Sequence, residues 1–230
     1  SERQFVEPGL QLHPGLCQYY VDDARILDTL DNLMGEDYLL MASDAQRRVG
    51  NTYWHQDTVI PMEEGKVGDY LMVKIQLYFD DLTSGEGSLW VLPGSHRKGL
   101  LTHCPNYRGQ GGRPIPENLF DADGMLPLPV KRGDVILVHP HTVHGSLSNV
   151  SDRIRWSFDL RYNPIGQHTG REAFPGFVVR SKENPELELK DGGVWTNLWK
   201  ETRERMSKIN QGGQNEISFG RWKEDHLDCA

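Results

Sequence analysis

Apolar residues recur at helical spacing in two segments of the chain. The first segment begins after Asp22 and Asp23 and ends at Gly35, and its apolar positions are Ile26, Leu27, Leu30, Leu33 and Met34. The second segment, about residues 194–209, carries Trp195, Trp199, Thr202, Met206 and Ile209. Spacings of three and four residues place each set on one face, so we predict two amphipathic helices. We expect the aromatic face of the second helix to pack on the rest of the domain, with a homodimer contact as the alternative.

Between these helices the apolar period changes to two, which is the period of a β-strand. Residues 71–79 and 153–162 both alternate apolar with polar side chains, and shorter strands fit residues 88–92 and 135–139. The chain also holds 24 glycines and 13 prolines, and this excess is typical of short strands joined by turns. The polar faces of the long strands have two explanations: a solvated outer surface, or the interior of a barrel that holds a polar site.

The charge balance narrows the range of partners. Lys and Arg total 25 and Asp and Glu total 33, which gives a net charge of −8. Nucleic-acid-binding proteins usually carry a basic face, and no Lys/Arg-rich run is present here. The apolar runs are far shorter than the roughly 18 residues of a membrane span, and the first residues do not read as a signal peptide. Three scattered cysteines argue against a disulfide framework. We therefore predict a cytoplasmic protein without nucleic-acid or membrane partners.

One short motif, His55-Gln56-Asp57, places a histidine and a carboxylate two residues apart. On a strand, residues i and i+2 lie on one face, so His55 and Asp57 converge while Gln56 points away. His144 follows the predicted strand at 135–139 and supplies a third candidate ligand. Two histidines and one carboxylate on one side of a metal ion leave neighbouring positions open, which is typical of non-haem Fe(II) oxygenases.

Arg155 and Ser157 form a second candidate group, and Arg155 stands 11 residues after His144. On a strand the two side chains share a face. A guanidinium fork beside a hydroxyl is a good receptor for a planar carboxylate, such as the distal carboxylate of 2-oxoglutarate. The His-rich turn leaves one alternative open, because His139 and His141 form an HxH pair that would make a tri-histidine metal site together with His144.

The order of these motifs resembles that of the phytanoyl-CoA dioxygenase family. The resemblance covers about residues 43–162 and rests on His55-x-Asp57, Pro93-Gly94-Ser95-His96, Gly133-Asp134, His144-Gly145-Ser146, Asn149 and Arg155-x-Ser157. It implies that His55, Asp57 and His144 are iron ligands. It also implies that Arg155, assisted by Ser157, holds the distal carboxylate of 2-oxoglutarate. In such a protein, polar residues of the strand at 71–79 lie near the co-substrate, and we rank Gln76 ahead of Lys74 and Tyr78.

The same resemblance implies a mainly β architecture: a double-stranded β-helix (jelly-roll, cupin-like) barrel with flanking α-helices. We expect a single oxygenase domain over residues 1–230, with a core at about 43–162 and a helical segment at about 194–209 packed on it. The chain has 54 residues before His55, fewer than the family usually has. Some substrate contacts are therefore expected to be missing or rebuilt.

The activity implied by the resemblance is that of a non-haem Fe(II)- and 2-oxoglutarate-dependent dioxygenase. Such an enzyme uses O₂ to oxidise, and by default to hydroxylate, an unactivated C–H bond of a small-molecule metabolite, with release of succinate and CO₂. One alternative is a non-catalytic cupin-like protein that binds a small ligand. Another is a tri-histidine metal oxygenase that works without 2-oxoglutarate. The residues do not identify the substrate.

Overall fold

The computed structural model of the protein describes residues 5–7, 15, 22–48, 51–57, 71–104, 114–167 and 176–211. Its two long helices are α1 (Ala24–Met34) and α2 (Gly192–Gln211). Its strands are β1 (Phe5–Glu7), β2 (Asp37–Arg48), β3 (Thr52–His55), β4 (Val73–Tyr78), β5 (Leu89–Val91), β6 (Leu126–Leu128), β7 (Val135–Val138), β8 (His144–Ser146), β9 (Arg155–Pro164) and β10 (Phe177–Ser181).

The strands form two antiparallel sheets. The larger sheet has the order β1-β2-β9-β4-β7. Strand β10 also pairs with β2, near its beginning, whereas β1 pairs with β2 near its end. The smaller sheet has the order β3-β8-β5-β6. Strands that are distant in sequence are therefore neighbours in space, and β9 lies between β2 and β4. This is the double-stranded β-helix that we predicted, with helices beside it.

Helix α1 begins and ends where its sequence indicates. The side chain of Asp23 accepts a hydrogen bond from the backbone N–H of Arg25 at the helix start, a standard way to satisfy a free donor there. The chain leaves the helix through Gly35, whose φ of 81° is a conformation that glycine adopts at little cost. Leu27 and Leu30 are buried beneath the helix, so the predicted apolar face packs inward.

The helices and the larger sheet share one apolar core. Its buried members are Leu27, Leu30, Tyr38, Leu40, Val73, Ile75, Leu160, Tyr162, Phe177, Val179, Trp195 and Trp199. In α2 the predicted aromatic face packs here, because Trp195 is fully buried against Phe177 with ring centroids 4.5 Å apart. The side chains of Met206 and Ile209 lie outside the described residues.

The opposite face of the larger sheet is polar and equally buried. On β4 and β9 it consists of Lys74, Gln76, Arg155, Ser157, Asp159 and Arg161, none more than 8% exposed. Lys74 of β4 lies 3.2 Å from His144 of β8, so this face looks toward the smaller sheet. The polar alternation along β4 and β9 thus belongs to the interior of the barrel, and the explanation as a solvated surface is wrong.

Two further observations bear on the environment of the protein. No helix among the described residues is long and apolar enough to cross a membrane. Cys104 is buried and disulfide-bonded, whereas the scattered cysteines led us to expect no disulfide framework.

Candidate metal centre

The smaller sheet brings the three predicted metal ligands together. His55 ends β3, and His144 begins the adjacent strand β8 directly opposite it. Their ring centroids are 4.3 Å apart, and Asp57 follows His55 just beyond the strand. One ligand atom from each of the three residues lies within 4.8 Å of the other two. Within the described part of the chain, no other group of His, Cys, Asp and Glu meets that criterion.

Both histidines present the same nitrogen to the centre. The Nδ1 atom of His55 lies 2.8 Å from the carbonyl oxygen of Tyr53, and Nδ1 of His144 lies 2.8 Å from that of Thr142. A carbonyl only accepts hydrogen bonds, so each Nδ1 carries the proton and each Nε2 keeps its lone pair. Metal-binding histidines are oriented in this way.

The protonation states also suit a metal centre. Burial, followed by the neighbouring charge of His144, holds the pKa of His55 well below its usual value. Burial and the Lys74 ammonium lower the pKa of His144 to about 4. Both imidazoles are therefore neutral at pH 7, the form that binds metal ions.

Asp57 is held as a carboxylate by two buried cations. Burial by itself would raise its pKa, but Lys74 and Arg161 outweigh burial and hold the pKa well below the usual range. The Lys74 ammonium lies 3.1 Å from Oδ2, and Arg161 donates a hydrogen bond of 3.2 Å to Oδ1. Oδ2 nevertheless receives no well-directed hydrogen bond although it is buried. An ionised oxygen in this state, beside two Nε2 lone pairs, fits a divalent metal ion.

Gln56 anchors this motif, a role that the sequence analysis missed. Its side chain points away from the centre, as expected, and is 1% exposed. The amide nitrogen donates to the carbonyl oxygens of Gly99 and His141 at 2.8 and 2.7 Å, and the amide oxygen accepts from the backbone N–H of Leu101 at 2.8 Å. The backbone N–H of Gln56 donates to Nε2 of His103 at 3.0 Å. Gln56 therefore fixes the segment between His55 and Asp57 to two loops, one at Gly99 and Leu101 and the other at His141.

Substitution of Gln56 by leucine is expected to loosen the centre. It leaves two carbonyl groups and one N–H, all at partly buried residues, without their partner, at about 1–3 kcal/mol for a fully buried group and less for these. We expect a loss of about 3 kcal/mol in unfolding free energy, measured by urea denaturation, and a roughly tenfold weaker metal affinity. Gln167→Leu is the matched control, because Gln167 also makes two amide hydrogen bonds, to the backbone of Leu71, but at an exposed position. Equal losses in both variants would contradict this role of Gln56.

The HxH pair does not join the cluster. The ring of His139 contacts the rings of His96 and His141 in tilted and edge-to-face arrangements, at centroid distances of 5.2 and 5.5 Å. Its Nδ1 atom accepts a hydrogen bond from the backbone N–H of His141 at 3.1 Å. The structure therefore places His144 with His55 and Asp57, and not with the HxH pair.

A hydrogen-bonded row extends from the centre along the interior face of β4 and β9. Lys74 contacts Asp159 at 3.3 Å, and Gln76 donates to the other oxygen of Asp159 at 2.7 Å. Tyr78 in turn donates to the amide oxygen of Gln76 at 2.5 Å. Both ends of the Gln76 amide are thus engaged within the protein. Asp159 and Arg161 were not predicted as site residues, although the alternation along 153–162 contained the necessary signal.

Arg155 lies on the same interior face of β9, but its charge is not paired with that of an acidic side chain in the described part of the chain. It is 1% exposed, and its contacts are the carbonyl oxygen of Gly87, the hydroxyl of Ser157 at 3.4 Å and the face of Tyr78. Its Nε has no hydrogen-bond partner, and no carboxylate of the described residues lies within ion-pair distance. Burial lowers the pKa of the guanidinium. A buried cation with only neutral contacts is costly unless an anionic ligand completes it.

The fold and the centre define a class: non-haem oxygenases built on a double-stranded β-helix. The sequence model of the phytanoyl-CoA dioxygenase family matches residues 6–157, and the chain belongs to that family. This confirms the family membership that the order of motifs predicted.

Individual relatives agree with this class. The chain is 37% identical over 109 residues to 1-deoxypentalenic acid 11-beta-hydroxylase of Streptomyces arenae. This matched region is 44% of this chain and 38% of the relative. Among solved structures, the apo form of the non-heme monooxygenase ThoJ superposes with a TM-score of 0.69 at 22% identity, over 91% of this chain and 81% of that one. EctD from S. alaskensis, with 2-oxoglutarate and 5-hydroxyectoine bound, has a TM-score of 0.55 at 26% identity, over 71% and 56%. The chain spans 28–38% of the length of the first curated relatives it matches.

Proposed function

We propose that this protein is an Fe(II)- and 2-oxoglutarate-dependent dioxygenase that hydroxylates a small molecule. The observation that carries this proposal is the pairing of two buried features in one barrel. One is the cluster of two neutral imidazoles and an ionised carboxylate, and the other is the Arg155 guanidinium, which has no carboxylate partner among the described residues. Metal binding explains the first feature, and a dicarboxylic co-substrate explains the second.

Three residues would hold the iron: His55 and His144 through Nε2, and Asp57 through Oδ2. When bound, Fe(II) supplies the activation of O₂, with 2-oxoglutarate as the source of two electrons. The contribution of the chain is to keep the imidazoles neutral, to keep the carboxylate ionised and to exclude water from the barrel interior. The carbonyl groups of Tyr53 and Thr142 keep each imidazole in the required tautomer.

Arg155, with Ser157 beside it, would bind the distal carboxylate of 2-oxoglutarate. Arg155, Ser157 and Asp159 alternate along β9, so all three side chains lie on its interior face. Asp159 lies four residue steps beyond Arg155 on the strand, a rise of about 13 Å, and it contacts Lys74 at the centre. A co-substrate that binds iron at one end and Arg155 at the other fits this layout. Gln76 lies between them, and we keep it as a secondary candidate because its amide is already engaged.

The proposed substrate is a small molecule. The relatives support this, since the curated hydroxylase acts on 1-deoxypentalenic acid and EctD holds 5-hydroxyectoine. The net charge of −8 supports the accompanying expectation that nucleic acid is not a partner. A single domain over residues 1–230, a cytoplasmic location and a homodimer contact through α2 stay predictions. The burial of Trp195 and Trp199 supports packing as the role of the aromatic face of α2.

The experiment that tests this function uses the full chain under anaerobic conditions. Fe(II) and 2-oxoglutarate together should produce a weak visible charge-transfer band, which neither produces alone. Admission of O₂ with a panel of small metabolites should then release succinate, and the substrate is the compound that increases this release. A band without succinate for any compound would favour the non-catalytic ligand-binding protein. Metal binding without a band would favour an oxygenase that does not use 2-oxoglutarate.

A further inference from the structure

Lys74 contacts two of the three residues of the candidate metal centre, Asp57 and His144. Its side chain is 4% exposed, and its ammonium nitrogen lies 3.1 Å from Oδ2 of Asp57 and 3.3 Å from Oδ2 of Asp159. The same nitrogen lies 3.2 Å from Nε2 of His144. Because Nε2 of His144 carries the lone pair, the ammonium donates to it. One cation therefore contacts two of the three proposed ligand atoms.

A divalent metal ion needs those same two atoms. Oδ2 of Asp57 and Nε2 of His144 are 3.7 Å apart, and nitrogen and oxygen ligands approach such metals to about 2.0–2.2 Å. The ammonium and the metal ion would compete for the Nε2 lone pair. Their like charges would also repel strongly at this distance, because the site is buried and poorly screened. Both cations do not fit at these contacts at once.

The remaining contacts allow the ammonium to leave without disrupting the site. Lys74 already touches Asp159, so a small shift keeps it paired with a carboxylate. Arg161 contacts Asp57 through the other oxygen, Oδ1, at 3.2 Å and lies 3.9 Å from Asp159. Asp57 therefore stays anchored by Arg161 while its Oδ2 becomes free.

We infer that Lys74 is the resident counter-cation of the metal-free centre, which positions Asp57 and His144 and is displaced toward Asp159 when the metal ion binds. This inference rests on the proposed metal centre. It makes Lys74 a positioning residue with two opposing effects. The ammonium stabilises the metal-free protein by neutralising two buried carboxylates, and it weakens metal affinity because it must be displaced.

The test is Lys74→Met, which keeps the length of the side chain and removes its charge. Ni(II) is titrated calorimetrically into the metal-free protein without 2-oxoglutarate, so that neither redox chemistry nor activity enters. We expect Lys74→Met to bind Ni(II) at least tenfold more tightly than the original protein. We also expect its metal-free form to melt at a lower temperature, with a smaller deficit once Ni(II) is bound. Lys182→Met is the control, because Lys182 forms an exposed ion pair with Glu36, and it should change neither quantity.

The outcomes distinguish the role of Lys74 from the proposed metal centre. Unchanged or weaker Ni(II) affinity in a folded Lys74→Met variant overturns the inference. If the variant is unfolded without metal, Ni(II) must restore its folding, and failure to do so also overturns the inference. Asp57→Ala separates the two levels: if it binds Ni(II) as tightly as the original protein, the proposed metal centre itself fails. If Asp57→Ala abolishes binding while Lys74→Met leaves it unchanged, only the role of Lys74 fails.

Discussion

Asp57→Ala is expected to weaken Fe(II) binding at least a hundredfold and to abolish succinate formation. The substitution removes the only ionised group of the proposed ligand set. It also removes one of the two carboxylates that the buried cations Lys74 and Arg161 share, and leaves them with Asp159. A hundredfold change corresponds to about 2.8 kcal/mol of binding free energy, which the loss of the charged ligand should at least reach. Metal content after anaerobic loading and desalting is the direct measurement.

His139→Ala provides the matched control for this prediction. His139 lies near the centre, yet its ring contacts are with His96 and His141. The variant should keep its metal and its charge-transfer band. The opposite pattern, with metal lost on His139→Ala and kept on Asp57→Ala, would favour the tri-histidine arrangement.

Arg155→Met is expected to weaken 2-oxoglutarate binding about a hundredfold while Fe(II) binding stays within a fewfold of the original. The guanidinium would form charge-assisted hydrogen bonds with the distal carboxylate, and loss of a buried charged pair typically costs about 2–5 kcal/mol. The measurement is the 2-oxoglutarate concentration that half-saturates the charge-transfer band. A similar half-saturating concentration in the variant would remove Arg155 from the co-substrate site.

Stability provides an independent readout for the same variant. Without co-substrate the buried Arg155 has only neutral contacts, so an apolar side chain of similar length should not destabilise the protein. We expect the ligand-free melting temperature to stay equal or rise. Arg153→Met is the control, because Arg153 lies on the surface paired with Glu86, and its 2-oxoglutarate binding should be unchanged. A large destabilisation of Arg155→Met would indicate that the guanidinium is structural.

The spacing of apolar and polar residues predicted the helices and strands whose formation depends on residues close together in the sequence. Helix α1 follows its capping residue and apolar spacing, and β4 and β9 lie within two residues of the alternating segments that predicted them. The sequence analysis did not identify β2. Its first half, Tyr38 to Met41, is a run of apolar side chains, and the register with β9 shifts between Leu40 and Ala42. A short apolar run followed by a bulge shows no period of two.

The motifs also predicted which residues would form the centre. His55 and Asp57 are two residues apart, so strand geometry alone places them side by side. The 86 positions between Asp57 and His144 carry no such constraint, and the order of motifs that the family shares is what favoured His144 as the third ligand over a site with His139 and His141. The pairing of β3 with β8 is the physical reason that His144 lies opposite His55.

The sequence by itself therefore determined the class of protein, the two helices and the candidate ligands, because these depend on spacing and motif order. Only the tertiary structure decided which face of β4 and β9 points into the barrel. An alternating strand looks the same from sequence whether its polar side meets water or a second sheet. That choice places Lys74, Asp159 and Arg161 around Asp57 and leaves Arg155 with no anionic partner in the described part of the chain. It also reveals Gln56 as an anchor, since its hydrogen-bond partners lie 43 to 85 residues away in the chain.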